Sequence, residues 1–345
     1  MLDVFTPFLP LAIGSFPHQS PHDALDLIFR YTPSVPLWPQ LPQKRYYENM
    51  YVQYSGGMPS VEVDPQRERI FFNTSSRPEA DLEEFYSHVL ADELDYFAFP
   101  AGYASGFTAF LDSMEQRRDK NVVCVKGQVT GPFSFGLTVT DENDRAVIYN
   151  PQYAEAMVTA ISLHARWQAE QLKKINPTVI MFIDEPYLVS FGSAFVSFPR
   201  EEVVRSINAV IDQIHKAGAL AGVHCCGNTD WSLVLETNLD LLNFDAYQYF
   251  DNVILYDVHL KKFLQRGGMI AWGVVPSDDR IMNISVEELE STLRSQMEKL
   301  ASRSIDAESI KRRSLLSPAC GLGSQTVEVA EEALMKLEAL FHKLS

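Results

Sequence analysis

The sequence predicts an α/β protein: a single-domain (β/α)8 barrel of the TIM type, with an insertion after its second strand. Three observations predict it. Eight short, nearly continuous apolar runs are spread along the 345 residues. Most of the segments between them carry a helical period. The His, Cys, Asp and Glu side chains that can do chemistry gather where apolar runs stop, which in such a barrel is the mouth.

The predicted strands, in order, are "LAIGSF" (11–16), "VPLWPQ" (35–40), "VVCVKGQ" (122–128), "TVIMFIDEP" (178–186), "LAGVHCC" (220–226), "LLNFDAY" (241–247), "MIAWGVV" (269–275) and "SLLSPAC" (314–320). Each is apolar almost throughout, as expected of a strand covered on both faces. Between the fourth strand's neighbours, "PQYAEAMVTAISLHARWQAEQLKKI" (151–175) has Pro151 at a first helical turn and apolar residues three and four apart. "REEVVRSINAVIDQIHKAG" (200–218) opens on acids and closes on Gly218, a helix terminator. "SVEELESTLRSQMEKLASR" (285–303) begins with Ser285 and Glu288 at capping-box spacing. Residues 41–120 are too many for one crossover. They hold a candidate hairpin ("YSGGMPSVEVD" with "RIFFN"), a helix near 79–94, and "YFAFPAGY" (96–103), a candidate extra strand. We read 41–120 as an insertion that caps the barrel mouth.

Composition excludes several function classes. Four cysteines are too few for a disulfide framework and leave thiols for chemistry or metal. A net charge of −16 repels nucleic acid and anionic lipid. No apolar run approaches the roughly 18 residues of a membrane span. The N-terminal stretch lacks the basic region of a signal peptide, so the expected location is the cytoplasm.

Three stretches carry chemistry. In "AGVHCCGNTD" (221–230), His224 and Cys226 are two apart and share a strand face, with Cys225 turned away; Cys320, at the end of the last predicted strand, can meet them. Imidazole and thiolate suit zinc, and a His/Cys/Cys set leaves a catalytic position open. Buried core cysteines are the competing reading. In "MFIDEPYL" (181–188), Asp184 and Glu185 end a strand, where a buried carboxylate needs a partner. That partner is a substrate ammonium, or local donors that hold the next loop. In "AIGSFP" (12–17), Gly14 allows close backbone approach, and Ser15 offers an amide and a hydroxyl to a carboxylate.

Taken together, "IGSFP", "GQVTGPFSF" (127–135), "IDEP", "HCC" and "SPACGLGS" (317–324) occur in the order found in the C-terminal barrel of cobalamin-independent methionine synthase. The chain resembles that barrel over nearly its full length, within the wider uroporphyrinogen-decarboxylase-like group of zinc methyltransferases. The resemblance implies a zinc ion on His224, Cys226 and Cys320, with Asp245 in place of the family's acidic ligand. It implies homocysteine as acceptor, held by Ile13, Gly14 and Ser15 at its carboxylate and by Asp184 at its ammonium, with Glu48 matching a further homocysteine-binding glutamate. Two positions depart from the family pattern. Thr138 stands where a folate-stacking tryptophan is found, and Val275 where a proton-donating histidine is found. A folate amine must be protonated to leave, whereas a cobalt(I) corrinoid need not be. The expected donor is therefore methylcobalamin or another methylcorrinoid, carried on a separate corrinoid protein. The alternatives are an alkyltransferase for coenzyme M or another thiol, and a folate-dependent methionine synthase completed by a partner subunit. A metal-free uroporphyrinogen decarboxylase is disfavoured, because "SFPHQSPHD" after the first strand lacks arginine. A non-enzymatic binding partner would lack stoichiometric zinc.

Overall fold

The protein was analysed as a computed structural model that describes residues 4–117, 121–194 and 196–345. Its centre is a curled, all-parallel sheet of six strands: β3 (Val125–Thr130), β5 (Val179–Asp184), β6 (Leu220–Cys225), β7 (Leu241–Phe244), β8 (Met269–Val275) and β9 (Ser314–Pro318), adjacent in that order. Every residue in these strands is buried, which is why they read as unbroken apolar runs. The crossovers are helical. They include α5 (Pro151–Lys173), α6 (Arg200–Lys216), α7 (Trp231–Glu236), α8 (Ala246–Val253), α9 (Asp257–Gln265), α10 (Val286–Ala301) and α11 (Ala307–Arg312), and α12 (Val327–Leu344) follows the last strand. Ser285 and Glu288 form the capping box that starts α10. Gly218 lies just beyond α6 at φ +71°, the left-handed turn that ends a helix.

The arrangement is that of a TIM-like half-barrel, and it corrects the expectation of eight regular strands. The first two predicted strands do not form. Residues 8–16 and 34–40 instead cross the gap between β9 and β3 through single parallel bridges: Pro10 to Leu316, Ser15 to Gln40, and Leu37 to Lys126. Prolines explain the difference. Pro10, Pro17, Pro36 and Pro39 have no amide hydrogen, so a continuous ladder cannot run through them. The chain still lies in place: Leu11 N donates to the Leu316 carbonyl at 2.9 Å and Lys126 N to the Pro36 carbonyl at 2.9 Å.

Alternation along the strands sorts the side chains. One face carries an apolar plug that includes Leu11, Cys124, Ile180, Leu220, Leu241 and Leu315. Higher on that same face, by steps of two, come Lys126 and Gln128, Asp184, His224, Asn243 and Asp245, and Ser317. The other face, with residues such as Val125, Met181, Val223, Cys225 and Trp272, packs on the helices.

The segment before β3 holds α1 (Pro21–Tyr31), the antiparallel hairpin β1 (Val61–Asp64) with β2 (Arg69–Phe72), α2 (Pro78–Leu90) and α3 (Ser105–Arg117). The stretch 96–103 is not a strand; Leu94–Phe97 is a single 3-10 turn. After β3 come the short helix α4 (Pro132–Thr138) and β4 (Thr140–Asp141), which pairs with β2.

The early segment is pinned to α5 by His164. Its Nδ1 bonds the Phe97 carbonyl at 2.6 Å, and its ring lies among Tyr54, Phe99 and Trp167 at centroid distances of 5.2, 4.4 and 5.8 Å. Nε2 is buried without a partner. Burial pulls this histidine down to about 4, so the folded protein keeps it neutral where the unfolded chain would already be charged. The unfolded state then binds more protons between about pH 6.5 and about pH 4. Stability contributed by this group is complete above that window and declines through it as pH falls, by about 1.4 kcal/mol per pH unit. Urea titrations at pH 7 and pH 5 check this: His164→Gln should flatten the slope, and an unchanged slope would assign it to other groups.

Candidate functional site

The sequence folds so that three separated ligand-bearing residues meet. His224 is the penultimate residue of β6, Cys226 follows that strand, and Cys320 lies two residues beyond β9. One ligand atom from each falls within 4.8 Å of the others. Cys225 points the other way and is buried in the outer core, its Sγ against the Gly227 carbonyl at 3.5 Å. Cys124 is also buried, in the interior plug.

The thiols are electrically unequal. The hydrogen bond from Cys320, followed by His224, pulls the Cys226 thiol down to about 4 against the effect of burial, while Cys320 is held well above its ordinary range. Cys226 is thus the more acidic thiol of the pair, and the thiolate is the form that binds a metal. A compact, mostly buried group of one imidazole and two sulfurs fits zinc and leaves a coordination position for another ligand.

Asp245 does not join this group. It is the N-cap of α8, its Oδ1 accepting from Gln248 N at 2.8 Å and its Oδ2 from Gln248 Nε2 at 2.6 Å. The turn after β7 needs a cap there, and the carboxylate is spent on it.

The two acids of "DEP" divide. Asp184 sits beside His224 in the β5–β6 ladder, on the interior face. It is 8% exposed, and Oδ1 has no hydrogen-bond partner. Burial pushes its carboxyl up to about 6, with His224 and Lys126 opposing. Glu185 turns outward and caps α4. Its Oε1 accepts from Phe133 N at 2.9 Å, and its Oε2 from Ser134 N at 2.8 Å and Ser134 Oγ at 2.5 Å. The fit demands Gly131, since a β-carbon there would lie 2.1 Å from the Glu185 carboxyl carbon. Burial pushes Glu185 up to about 7 even so. Glu185→Gln would set an amide NH2 against those donors and should cost about 1–3 kcal/mol of stability. A lowered urea midpoint with zinc uptake unchanged is the expected pair of readings.

The first loop is tied to the last. The Ser15 carbonyl accepts from Leu322 N at 3.0 Å, and Ser15 Oγ accepts from Gly323 N at 3.1 Å. As an acceptor in that bond, Oγ keeps its own proton to donate. Gly14 is pressed against Gln128, and a β-carbon would meet that side chain at 2.9 Å. The Ile13 carbonyl receives the Lys126 ammonium, which also donates to Gln128 Oε1 at 3.3 Å and lies 4.6 Å above the Phe182 ring. Glu48, in the 3-10 turn Tyr46–Glu48, is fully buried. Its Oε1 accepts from Ser105 Oγ at 2.6 Å and pairs with Arg45 at 3.4 Å, while Oε2 has no partner.

Sequence reasoning missed Lys126 and Asn243. Each is a lone polar residue inside an apolar strand, in "VVCVKGQ" and "LLNFDAY". That interruption was the available signal: a lysine with no exposed surface must be tied off, and here burial brings it down to about 7.

No protein-family model and no curated protein sequence matches the chain. A solved structure does: a B12-independent methionine synthase from Shewanella sp. W3-18-1 in complex with selenomethionine. It is similar over 97% of this chain and 97% of its own, with a TM-score of 0.55 and 14% sequence identity. At that identity the likeness establishes the TIM-barrel-like fold. It also corrects the donor expected from the sequence. A methylcobalamin or other methylcorrinoid donor, with a corrinoid protein as partner, conflicts with a neighbour that works without B12, and that expectation is withdrawn. Among the described residues no helix is long and apolar enough to cross a membrane.

Proposed function

We propose that the protein is a zinc-dependent methyltransferase that methylates the thiol of homocysteine to give methionine, using a donor other than a corrinoid. The observation that carries the reading is the meeting of His224, Cys226 and Cys320 beside the unpartnered Asp184 Oδ1. The whole-chain likeness to a methionine synthase supports it.

His224, Cys226 and Cys320 would hold the zinc. When bound, the metal supplies a thiolate at neutral pH by lowering the pKa of a thiol that would otherwise sit near about 8.5. The chain's own residues do the rest. Asp184 receives the substrate ammonium through Oδ1, and Glu48, with its free Oε2, is the second acceptor. The Ile13–Ser15 loop receives the carboxylate, with the Ser15 hydroxyl as donor. The loop is kept rigid from below by Lys126 and from the side by Gly323. Rigid anchoring of both ends of the amino acid aims its sulfur, which is what in-line displacement at a methyl carbon requires. Residues 41–120 supply Glu48 and, in this reading, cap the mouth. An ammonium acceptor with no other partner favours an amino-acid thiol over a simple mercaptan such as coenzyme M.

The test is calorimetric titration of zinc-loaded protein with L-homocysteine in buffers of different ionisation enthalpy, followed by assay of methionine formation from methyl-tetrahydrofolate. Binding should release a proton and should vanish when zinc is chelated. Homocysteine binding that ignores the metal, or no binding, would overturn the reading.

A further inference from the structure

Asn243 lies at the centre of an unusual set of contacts. It is fully buried on β7, and its side chain reaches three partners. Nδ2 donates to the Ala271 carbonyl at 2.7 Å and to Ser317 Oγ at 2.7 Å, and Oδ1 is hydrogen-bonded to His224 Nδ1. The direction of each bond follows from its neighbours. A backbone carbonyl can only accept, so the amide must turn its NH2 end toward Ala271. The Ser317 hydroxyl spends its proton on the Pro318 carbonyl at 2.9 Å, so it too accepts from Asn243. With both hydrogens of Nδ2 used, what faces the imidazole is an oxygen with no proton to give. The His224 nitrogen beside it must be the one that carries hydrogen.

We propose that Asn243 is a positioning residue for the metal centre: it fixes His224 in the tautomer protonated at Nδ1, so that Nε2 presents its lone pair toward Cys226 and Cys320. The inference rests on the zinc reading above. The lock runs through four neighbouring strands, from Ala271 on β8 and Ser317 on β9 to Asn243 on β7 and His224 on β6. Reorienting the imidazole would require the Asn243 amide to flip, and that would oppose its oxygen to the Ala271 carbonyl. A histidine ligand whose second nitrogen is tied in this way is held in orientation as well as in tautomer.

Two measurements test this, one of them without metal. In zinc-free protein labelled with nitrogen-15, at a pH high enough for the ring to be neutral, ring correlations of His224 should show the Nδ1–H tautomer. Zinc affinity, measured by chelator competition, should fall roughly 10- to 100-fold in Asn243→Ala. Asn243→Asp keeps an acceptor for Nδ1 but cannot donate to Ala271. It should therefore lose stability while holding zinc within a few-fold of the natural protein. A purely structural asparagine predicts the opposite pattern: both variants lose stability and neither loses zinc selectively. Ser317→Ala leaves the Ala271 carbonyl to orient the amide, and the tautomer should survive it. An Nε2–H tautomer, or unchanged zinc affinity in folded Asn243→Ala, would overturn the proposal. Absence of zinc uptake by the natural protein, with the Nδ1–H tautomer present, would instead overturn the metal reading and leave the Asn243–His224 pairing standing.

Discussion

Cys320→Ser should abolish stoichiometric zinc binding and methyl transfer while leaving a folded protein. A serine hydroxyl does not ionise near neutral pH, so the metal would lose one of its three protein ligands and the affinity should drop by at least on the order of 10², the upper effect of disturbing even an indirect contact. The fold should survive because the centre sits at the strand ends, above an apolar plug that the substitution does not touch. Zinc binds the folded state, so at about 100 times its dissociation constant it should stabilise the natural protein by about 2.7 kcal/mol. Thermal unfolding with and without added zinc reads this directly. The midpoint of the natural protein should rise with zinc, that of Cys320→Ser should not, and the two metal-free midpoints should nearly coincide. Full zinc occupancy in the variant, by elemental analysis, would remove Cys320 from the centre.

Asp184→Asn should weaken homocysteine binding roughly 10- to 150-fold, the equivalent of about 1.5–3 kcal/mol for a hydrogen bond between charged groups. Size and shape are nearly kept, and zinc uptake should be unaffected because Asp184 is not among the metal-holding atoms. The discriminating control is a thiol of the same length without an amino group. Its binding should change by only a few-fold, since it never used the carboxylate. Equal losses for both thiols would return Asp184 to a structural role.

The contrast between these two residues and Glu185 or Asp245 shows what was legible in the sequence. "HCC" and the late cysteine were readable because apolar runs buried on both faces deliver whatever follows them to one end of the sheet. For the same reason the six central strands were placed within a few residues of their true limits. Which acid of a pair keeps an unpartnered oxygen was not readable from spacing. Glu185 and Asp245 are consumed by the amide hydrogens of α4 and α8, and those helix starts are a matter of three-dimensional approach. The first two strands are not regular because prolines interrupt those apolar stretches: Pro10 and Pro17 flank the first, and Pro36 and Pro39 deny the second a ladder. The methyl donor failed for a different reason. Thr138 and Val275 stand in place of an indole and an imidazole, and a missing group says nothing about what replaces it.

The bond between Ser15 Oγ and Gly323 N spans 308 residues of chain. In order of synthesis the loop that contains Ser15 comes long before its partner. The half-barrel from β3 to β9 can form by adding neighbours one at a time, whereas closing the gap at residues 8–16 must wait for β9 and costs the entropy of a very long loop. Cys320 belongs to that same late event. A growing chain can therefore present His224 and Cys226 long before it presents a complete centre, and metal captured then would be weakly held and easily exchanged. On the proposed function, ring closure would act as a timing device: tight acquisition of zinc would report that β9 has joined the half-barrel.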